Sequence, residues 1–134
     1  MENSKSQTLN SKQITNSNFP NSKQYNLEER TFKFAKDCRD YVKKLPRTIS
    51  NIEYGKQLIK SSGSQAANYI EANESLSKKD FKLRIKISKK ETKESRLWLK
   101  LTEPTKENQT EQERLIQEAN ELMRIFGSIV ENSK

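Results

Sequence analysis

The segment from residue 77 to residue 101, SKKDFKLRIKISKKETKESRLWLKL, carries two separate apolar rows. Between Phe81 and Ile87 apolar and basic residues alternate, which by itself is typical of a half-buried strand. The segment as a whole is rich in helix formers, and on a helical wheel the alternation resolves into two rows on different faces. A helix with two apolar faces cannot bury both against one core, so a second surface has to cover one of them.

Both rows follow the i, i+4, i+7, i+11 spacing of a coiled-coil seam. The first seam contains Phe81, Ile85, Ser88, Thr92, Ser95 and Leu99; the second contains Leu83, Ile87, Lys90, Glu94, Leu97 and Leu101, with Trp98 beside it. A four-helix bundle needs one such seam per helix, so we expect one to close the protomer's own core and the other to face a neighbouring subunit. The spacing does not distinguish them; we assign the second seam and Trp98 to the oligomer interface.

A stripe of seven basic residues lies between the two seams, within about 80° of arc. This basic stripe consists of Lys78, Lys82, Lys86, Lys89, Lys93, Arg96 and Lys100. No acidic residue interrupts it over ~33 Å of helix, and residues 77–101 hold most of the chain's net charge of +8. The stripe predicts contacts with nucleic-acid phosphates, although a merely solvated lysine face is the alternative.

The remaining patterns predict an all-α protein. Residues 1–25 are rich in Ser, Asn, Gln and Lys and predict a disordered polar tail. Residues 26–134 predict four helices, at about 27–45, 50–76, 78–102 and 109–131. Four helices with short links favour an antiparallel up-down-up-down bundle, and an apolar fraction of only 31% suggests that partners complete the core.

Capping pairs and small residues give the local detail. The predicted capping pairs are Asn26 with Glu29, Ser50 with Glu53, and Ser77 with Asp80. The segment KSSGSQAANYIEA (60–72) has no preceding strand and no following Gly-Lys-Ser/Thr, which argues against a phosphate-binding loop. We expect instead that Gly63, Ala66 and Ala67 form a small-residue helix face where another helix approaches closely.

The chain has no histidine and one cysteine, Cys38, which leaves few routes to catalysis. A disulfide framework, the usual zinc sites and nucleophile–histidine pairs are all excluded. Carboxylates such as Glu71, Glu91 and Glu94 are more simply explained as polar contacts between helices. We therefore predict a protein that is not an enzyme and uses no cofactor or metal. The sequence has no membrane-length apolar run and no signal-peptide core, so we predict a cytoplasmic protein.

Several short motifs resemble one family over about residues 30–131. They are Leu45-Pro46, Gln57-Leu58 before Lys60-Ser61, Ala67-Asn68 with Glu71-Ala72, SKKDF (77–81) and KETKESRLWLKL (90–101). Together they resemble the four-helix bundle family named for proteins encoded in intervening sequences of bacterial 23S rRNA genes. Gln65 and Ala66, where the family often has Ile-Gly, and Leu97, often Tyr, depart from this pattern.

The resemblance implies an antiparallel bundle that assembles as a ring, typically a pentamer. The sequence is also similar, more distantly, to the accessory proteins of diversity-generating retroelements, which are basic pentameric bundles that bind nucleic acid and work with a reverse transcriptase. Neither group is known as enzymes, and the family name describes where the genes lie.

These observations predict a non-catalytic oligomer that contacts RNA or DNA backbones through the basic stripe, without sequence preference. The resemblance suggests an accessory factor to RNA or reverse-transcriptase processes, with a protein partner such as a reverse transcriptase. The alternative is an oligomeric scaffold that docks an acidic protein partner and binds no nucleic acid.

Overall fold

The computed structural model describes residues 26–133. Within this range the chain forms four α-helices: Leu27–Lys43 (α1), Ile49–Asn73 (α2), Lys78–Leu101 (α3) and Gln109–Asn132 (α4). The 3-10 turn Lys106–Asn108 leads into α4, and no strand occurs in the described part of the chain. The predicted tail of residues 1–25 lies outside it.

Side-chain contacts between the helices fix their directions. The contacting pairs are Thr31–Gln65 for α1 and α2, Ser61–Ser95 and Asn68–Arg84 for α2 and α3, and Arg96–Asn120 for α3 and α4. Arg30 and Asp37 of α1 contact Glu118 and Arg114 of α4. Along these helix pairs the residue numbers run in opposite senses: from Ser61 to Asn68 on α2 the partner on α3 falls from Ser95 to Arg84, and from Arg30 to Asp37 on α1 the partner on α4 falls from Glu118 to Arg114. The predicted all-α, antiparallel four-helix bundle is therefore confirmed.

The apolar core draws on all four helices. Its largest buried side chains are Phe34, Leu58, Ile85, Leu99, Leu115, Leu122 and Phe126. Each such side chain contributes about 1.5–3 kcal/mol relative to an exposed position. Cys38 lies in this core as a packing residue, and burial raises the pKa of its thiol well above the ordinary range.

A layer of buried hydroxyl groups joins α3 to α2. Ser88 Oγ donates to the Gln65 carbonyl at 2.9 Å, and Ser61 and Ser95 share a hydrogen bond of 2.7 Å. Thr92 Oγ1 donates to the Ser88 carbonyl at 2.8 Å. Because each hydroxyl has a partner, its burial carries little penalty.

Gln65 lies fully buried beside this layer. Its Nε2 donates to the Thr31 carbonyl at 2.7 Å and to the Ser62 carbonyl at 3.0 Å, which fixes the orientation of the amide. Among residues 26–133 its Oε1 has no hydrogen-bond partner. An unpartnered buried acceptor costs about 1–3 kcal/mol, so this position is a local weakness of the core.

A polar network closes the end of the bundle that holds the α1–α2 and α3–α4 connections. Asn51 Nδ2 donates to the carbonyls of Pro46 and Glu103, at 3.0 Å each, and Asn51 Oδ1 accepts from the Glu103 N–H at 2.9 Å. Tyr41 Oη and Thr102 Oγ1 share a hydrogen bond of 2.8 Å at the same end. One asparagine therefore links both connections.

Two of the three predicted caps are present, and the third is wrong. Asn26 Oδ1 accepts from the Glu28 and Glu29 N–H groups, and Ser77 Oγ accepts from the Asp80 N–H. The cap of α2 is Thr48, not Ser50. Because the Thr48 hydroxyl reaches the Asn51 N–H at 3.1 Å, the helix starts at Ile49 and Ser50 falls within its first turn.

The predicted ends of α1 and α2 also shift. The helix α1 ends at Lys43, two residues before Leu45, which is buried in the connection. The helix α2 ends at Asn73, and Leu76, expected near its end, is fully exposed in the turn before α3.

The small-residue face predicted around Gly63 is wrong. A Cβ on Gly63 would meet nothing within 4 Å, and Ala67 is exposed. This part of α2 turns Ser61, Ser62 and Gln65 toward the core instead, since their polar groups find hydrogen-bond partners there. The close approach between α1 and α2 lies eight residues earlier, at Gly55, where a Cβ would lie 3.0 Å from Val42 Cγ1.

None of the helices between residues 26 and 133 combines the length and the apolar character that a membrane crossing requires.

Candidate nucleic-acid interface on the third helix

The first seam of α3 is the internal one. Ile85, Ser88, Thr92, Ser95 and Leu99 are buried, and Phe81 packs against the core from a half-buried position. This settles the orientation of α3 and turns the second seam and the basic stripe toward the outside of the bundle.

The second seam lies on the surface of the protomer. Leu83 is 54% exposed, Leu97 47% and Leu101 40%, while Ile87 is half-buried. Three exposed leucines on one helix face form an apolar surface that the bundle itself does not cover.

The other predicted interface residues have partners within the protomer or are solvated. Trp98 packs against the core and stacks on Tyr54 of α2, with ring centroids 5.8 Å apart. Lys90 and Glu94 are exposed, and the Nζ of Lys90 lies 3.8 Å from Glu91 Oε2. Burial, together with the nearby Glu94 charge, raises the pKa of Glu91 above its ordinary value. Because it stacks on Tyr54, Trp98 belongs mainly to the contact between α2 and α3.

The structure divides the basic stripe into two rows. Lys82, Lys89 and Arg96, spaced seven residues apart, form the inner row beside α4; Lys86, Lys93 and Lys100, with the same spacing, form the outer row. Lys78 occupies the first position of α3 and is exposed.

Two of the three inner-row side chains contact α4, although Lys89 is otherwise exposed. Arg96 Nη1 donates to Asn120 Oδ1 at 2.6 Å. Lys89 extends over Gly127: its Nζ lies 3.3 Å, and its Cε 3.8 Å, from the position that a Cβ on Gly127 would take. Lys82 is half-buried. The glycine at position 127 therefore provides the room that Lys89 needs to lie across α4.

The outer row extends into solvent. Lys86, Lys93 and Lys100 are all exposed. Among residues 26–133 none of these three takes part in a hydrogen bond or an ion pair, and no member of the inner row forms an ion pair either. The six cations thus form a surface whose charge is not neutralised by carboxylates of the described chain.

The rest of the described chain has few groups suited to chemistry. No set of three or more His, Cys, Asp or Glu side chains within residues 26–133 could hold a metal ion. Glu71 and Glu94 are exposed, and Cys38 is buried in the core.

Three further exposed apolar side chains, which the sequence patterns did not single out, lie on α1 and α2. Phe32 of α1 and Ile59 and Ile70 of α2 are each more than 40% exposed. Ile59 and Ile70 are eleven residues apart and so share one helix face. That spacing was the available signal, but the same residues fit equally well into the core pattern of α2.

Comparison with known proteins identifies the family of this bundle. The model of the 23S rRNA-intervening sequence protein family matches residues 23–128. The chain belongs to this family. The predicted resemblance to it is confirmed, and the match leaves most of the polar N-terminal segment outside.

One solved structure is similar over nearly the whole bundle. It is a protein of unknown function from the S23 ribosomal protein family of Bacteroides thetaiotaomicron, with 26% sequence identity and a TM-score of 0.66. The match covers 78% of this chain and 98% of that chain. No curated protein matches this sequence.

Proposed function

We propose that this member of the family is a non-catalytic protein that binds the phosphate backbone of RNA or DNA through the basic stripe of α3. The observation that carries the proposal is the set of six un-neutralised cations along one exposed side of a single rigid helix. Such a row gains free energy by releasing the counterions that condense on nucleic acid.

The chemistry of the stripe favours binding that does not depend on sequence. Its side chains are lysines and one arginine, which suit phosphate oxygens. Trp98, the one tryptophan, is engaged with Tyr54 and offers no free ring for stacking on a base. Contacts of this kind position a backbone without reading base edges.

We further propose that the subunits assemble as a ring through the second seam, with five subunits as the resemblance implies. Two different sets of exposed apolar side chains support this: the second seam of α3, and Phe32, Ile59 and Ile70. A contact between two unlike surfaces is heterologous, and repeated heterologous contacts form a ring when the rotation between neighbouring subunits closes. A ring would also carry one copy of the basic stripe on each subunit.

In the cell, the proposed role is that of an accessory factor to RNA or reverse-transcriptase processes in the cytoplasm. The resemblance of the sequence to retroelement accessory proteins suggests a reverse transcriptase as the protein partner. No cofactor, metal or membrane enters the proposal.

Fluorescence anisotropy with a structured RNA across a salt series tests the proposal. Reversing the charge of Lys82, Lys86, Lys89 and Lys93 to Glu is expected to weaken binding by more than tenfold, because four cations that attract phosphates become anions that repel them. The matched control reverses four exposed cations on α1 and the α1–α2 connection, Lys36, Lys43, Lys44 and Arg47, and is expected to have a much smaller effect.

Two results would contradict the proposal. Binding of micromolar or weaker affinity that ignores the α3 charge reversal would remove the stripe as the site. Equal affinity for RNA and for a simple polyanion such as polyglutamate would favour the alternative, a scaffold that docks an acidic protein.

A further inference from the structure

We infer that the ligand of the basic stripe is a single-stranded nucleic acid whose backbone lies along the outer row, Lys86, Lys93 and Lys100. The inner row attracts the strand electrostatically but makes no direct contact with its phosphates. This inference rests on the proposed function and narrows it to one class of ligand and to three of the seven predicted residues.

The two rows differ in what their side chains already contact. Arg96 is bound to Asn120, Lys89 lies over Gly127, and Lys82 is half-buried. Moving Arg96 or Lys89 to a phosphate would first break a contact with α4, and Lys82 is already partly withdrawn from solvent. The ammonium groups of the outer row have no such contacts within residues 26–133, so they can reach a phosphate without that cost.

The outer row is long and almost straight. Its members follow one another at seven-residue intervals, which is about 10.5 Å of helix rise, and the row spans about 21 Å. Seven residues fall about 20° short of whole turns, so the row drifts only slightly around the helix. A ligand that touches all three lysines must therefore present phosphates along a nearly straight line.

A duplex strand does not follow such a line. One turn of a duplex takes roughly 34–36 Å, so over about 21 Å each strand passes through more than half a turn and its phosphates leave the protein surface. A straight cation row on a rigid helix would then meet a given strand near one point only. A flexible single strand can be drawn out along the row and meet all three lysines, which favours the single strand.

The surroundings of the row suit a strand of any sequence. Leu97 lies between Lys93 and Lys100 on the side of the second seam, and Lys90 lies between Lys86 and Lys93. Glu91, the nearest carboxylate to Lys90, pairs with Lys90 rather than with the outer row. On α3 the side chains that flank the row, Lys90 and Leu97, are not aromatic, so the contacts are electrostatic and strongly dependent on salt.

Two triple variants with the same loss of charge test the inference. The outer triple is Lys86→Gln, Lys93→Gln and Lys100→Gln; the inner triple is Lys82→Gln, Lys89→Gln and Arg96→Gln. Both remove three cations from one helix at the same spacing. The probes are a labelled 20-nucleotide oligouridine and a 20-base-pair RNA duplex, each titrated by anisotropy across a salt series, after circular dichroism has shown that both variants are folded.

The wild type is expected to bind the oligouridine more tightly than the duplex. For the oligouridine, the slope of log K against log salt is expected to fall by about 2 in the outer triple, since each phosphate contact with a single strand contributes about 0.7. In the inner triple the same slope is expected to fall by less than about 0.7, which is less than one phosphate contact. If either triple fails to fold, the double variants Lys86→Gln/Lys93→Gln and Lys82→Gln/Lys89→Gln replace them, with about two-thirds of the expected change.

The outcomes separate this inference from the proposed function. Equal or tighter binding of the duplex, or an equal loss of slope in both triples, overturns the inference while the stripe remains a nucleic-acid site. Absence of binding to both probes by the wild type overturns the proposed function as well.

Discussion

The two seams of α3 share one helix and one spacing but have opposite surroundings. The first seam, with Ser88, Thr92 and Ser95 in its centre, is buried, whereas the second, with three leucines, is exposed. The second seam also carries the charged residues Lys90 and Glu94, so the hydropathy of the two seams does not by itself decide which is buried. The difference shows that burial here follows from partners across the helix interface: the hydroxyls of the first seam have acceptors on α2 and on α3 itself, and their small size lets the helices pack closely.

Truncation of the two seams should therefore have very different effects on stability. Ile85→Ala removes a fully buried side chain and is expected to lower the free energy of unfolding by about 2–5 kcal/mol, because it leaves a cavity. Leu83→Ala, as the matched control, removes a side chain that is already 54% exposed and is expected to cost about 1 kcal/mol or less in the isolated subunit. Urea denaturation measures both. Equal losses would mean that the second seam is also part of the core.

A charge in the second seam should act on assembly instead. Leu83→Asp is expected to weaken subunit association by at least about tenfold, or ~1.4 kcal/mol, with little effect on the fold of the subunit. Leu76→Asp is the control, since Leu76 is fully exposed but lies in the α2–α3 turn, away from the seam. Light scattering over a range of concentrations measures the oligomer. A wild type that is monomeric throughout would contradict the assignment of this seam to an interface.

The polar layer behind the first seam can be improved. Gln65→Met keeps the length of the side chain and removes the buried Oε1 that has no partner, so we expect the free energy of unfolding to rise by about 1 kcal/mol. The carbonyl groups that lose the Nε2 donor lie within helices, where they keep their main-chain hydrogen bonds. Thermal unfolding compared with wild type checks this. A lower melting temperature would show that the Nε2 hydrogen bonds outweigh the unpartnered acceptor.

Lowering the pH should leave the packing of the first seam unchanged, because that seam contains no ionisable group. It should weaken the contact between α1 and α4, which depends on carboxylates. Burial alone would raise the pKa of Asp37, but hydrogen bonds from Lys33 and Arg114 outweigh it and lower the pKa below 3.8. The hydrogen bond from Arg114 likewise lowers the pKa of Glu111 below 4.5. Their stabilising effect is therefore present above these ordinary values and is lost as the pH falls through the lowered ones.

The expected size of this acid effect is small. Solvent screens the partly exposed pairs, so the contribution of Asp37 and Glu111 should be about 1 kcal/mol or less. Urea denaturation at pH 7 and at pH 3 of the wild type and of Arg114→Gln isolates it from the other carboxylates. A decrease in stability that is the same size in both proteins would show that this contact contributes nothing to the acid response.

The sequence predicted the number, type and order of the helices because each has a long apolar period and a clear end. It could not say which seam of α3 is internal, since that depends on Ser61 and Gln65 of α2, which no pattern on α3 records. The division of the basic stripe was equally hidden. It depends on Asn120 and Gly127, which lie 24 and 38 residues further along the chain than the cations they receive.

Local signals failed where two of them competed. Ser50 has a suitable Glu53 three residues later, but Thr48 reaches the Asn51 N–H first, and Glu53 pairs with Lys56 instead. At Gly63 the small residues suggested a close helix contact, yet the neighbouring Ser62 and Gln65 take the inner positions. In both cases geometry across the chain decided between equally good local patterns.

The hydrogen bonds of Asn51 make one end of the bundle more resistant to local unfolding than the other. Because this amide binds both inter-helix connections at one end, local opening should begin at the other end, which holds Asn26, the α2–α3 turn and the last residues of α4. Amide hydrogen exchange should accordingly proceed as a gradient along the helices, fastest near residues 73–77 and slowest near the Asn51–Glu103 pair.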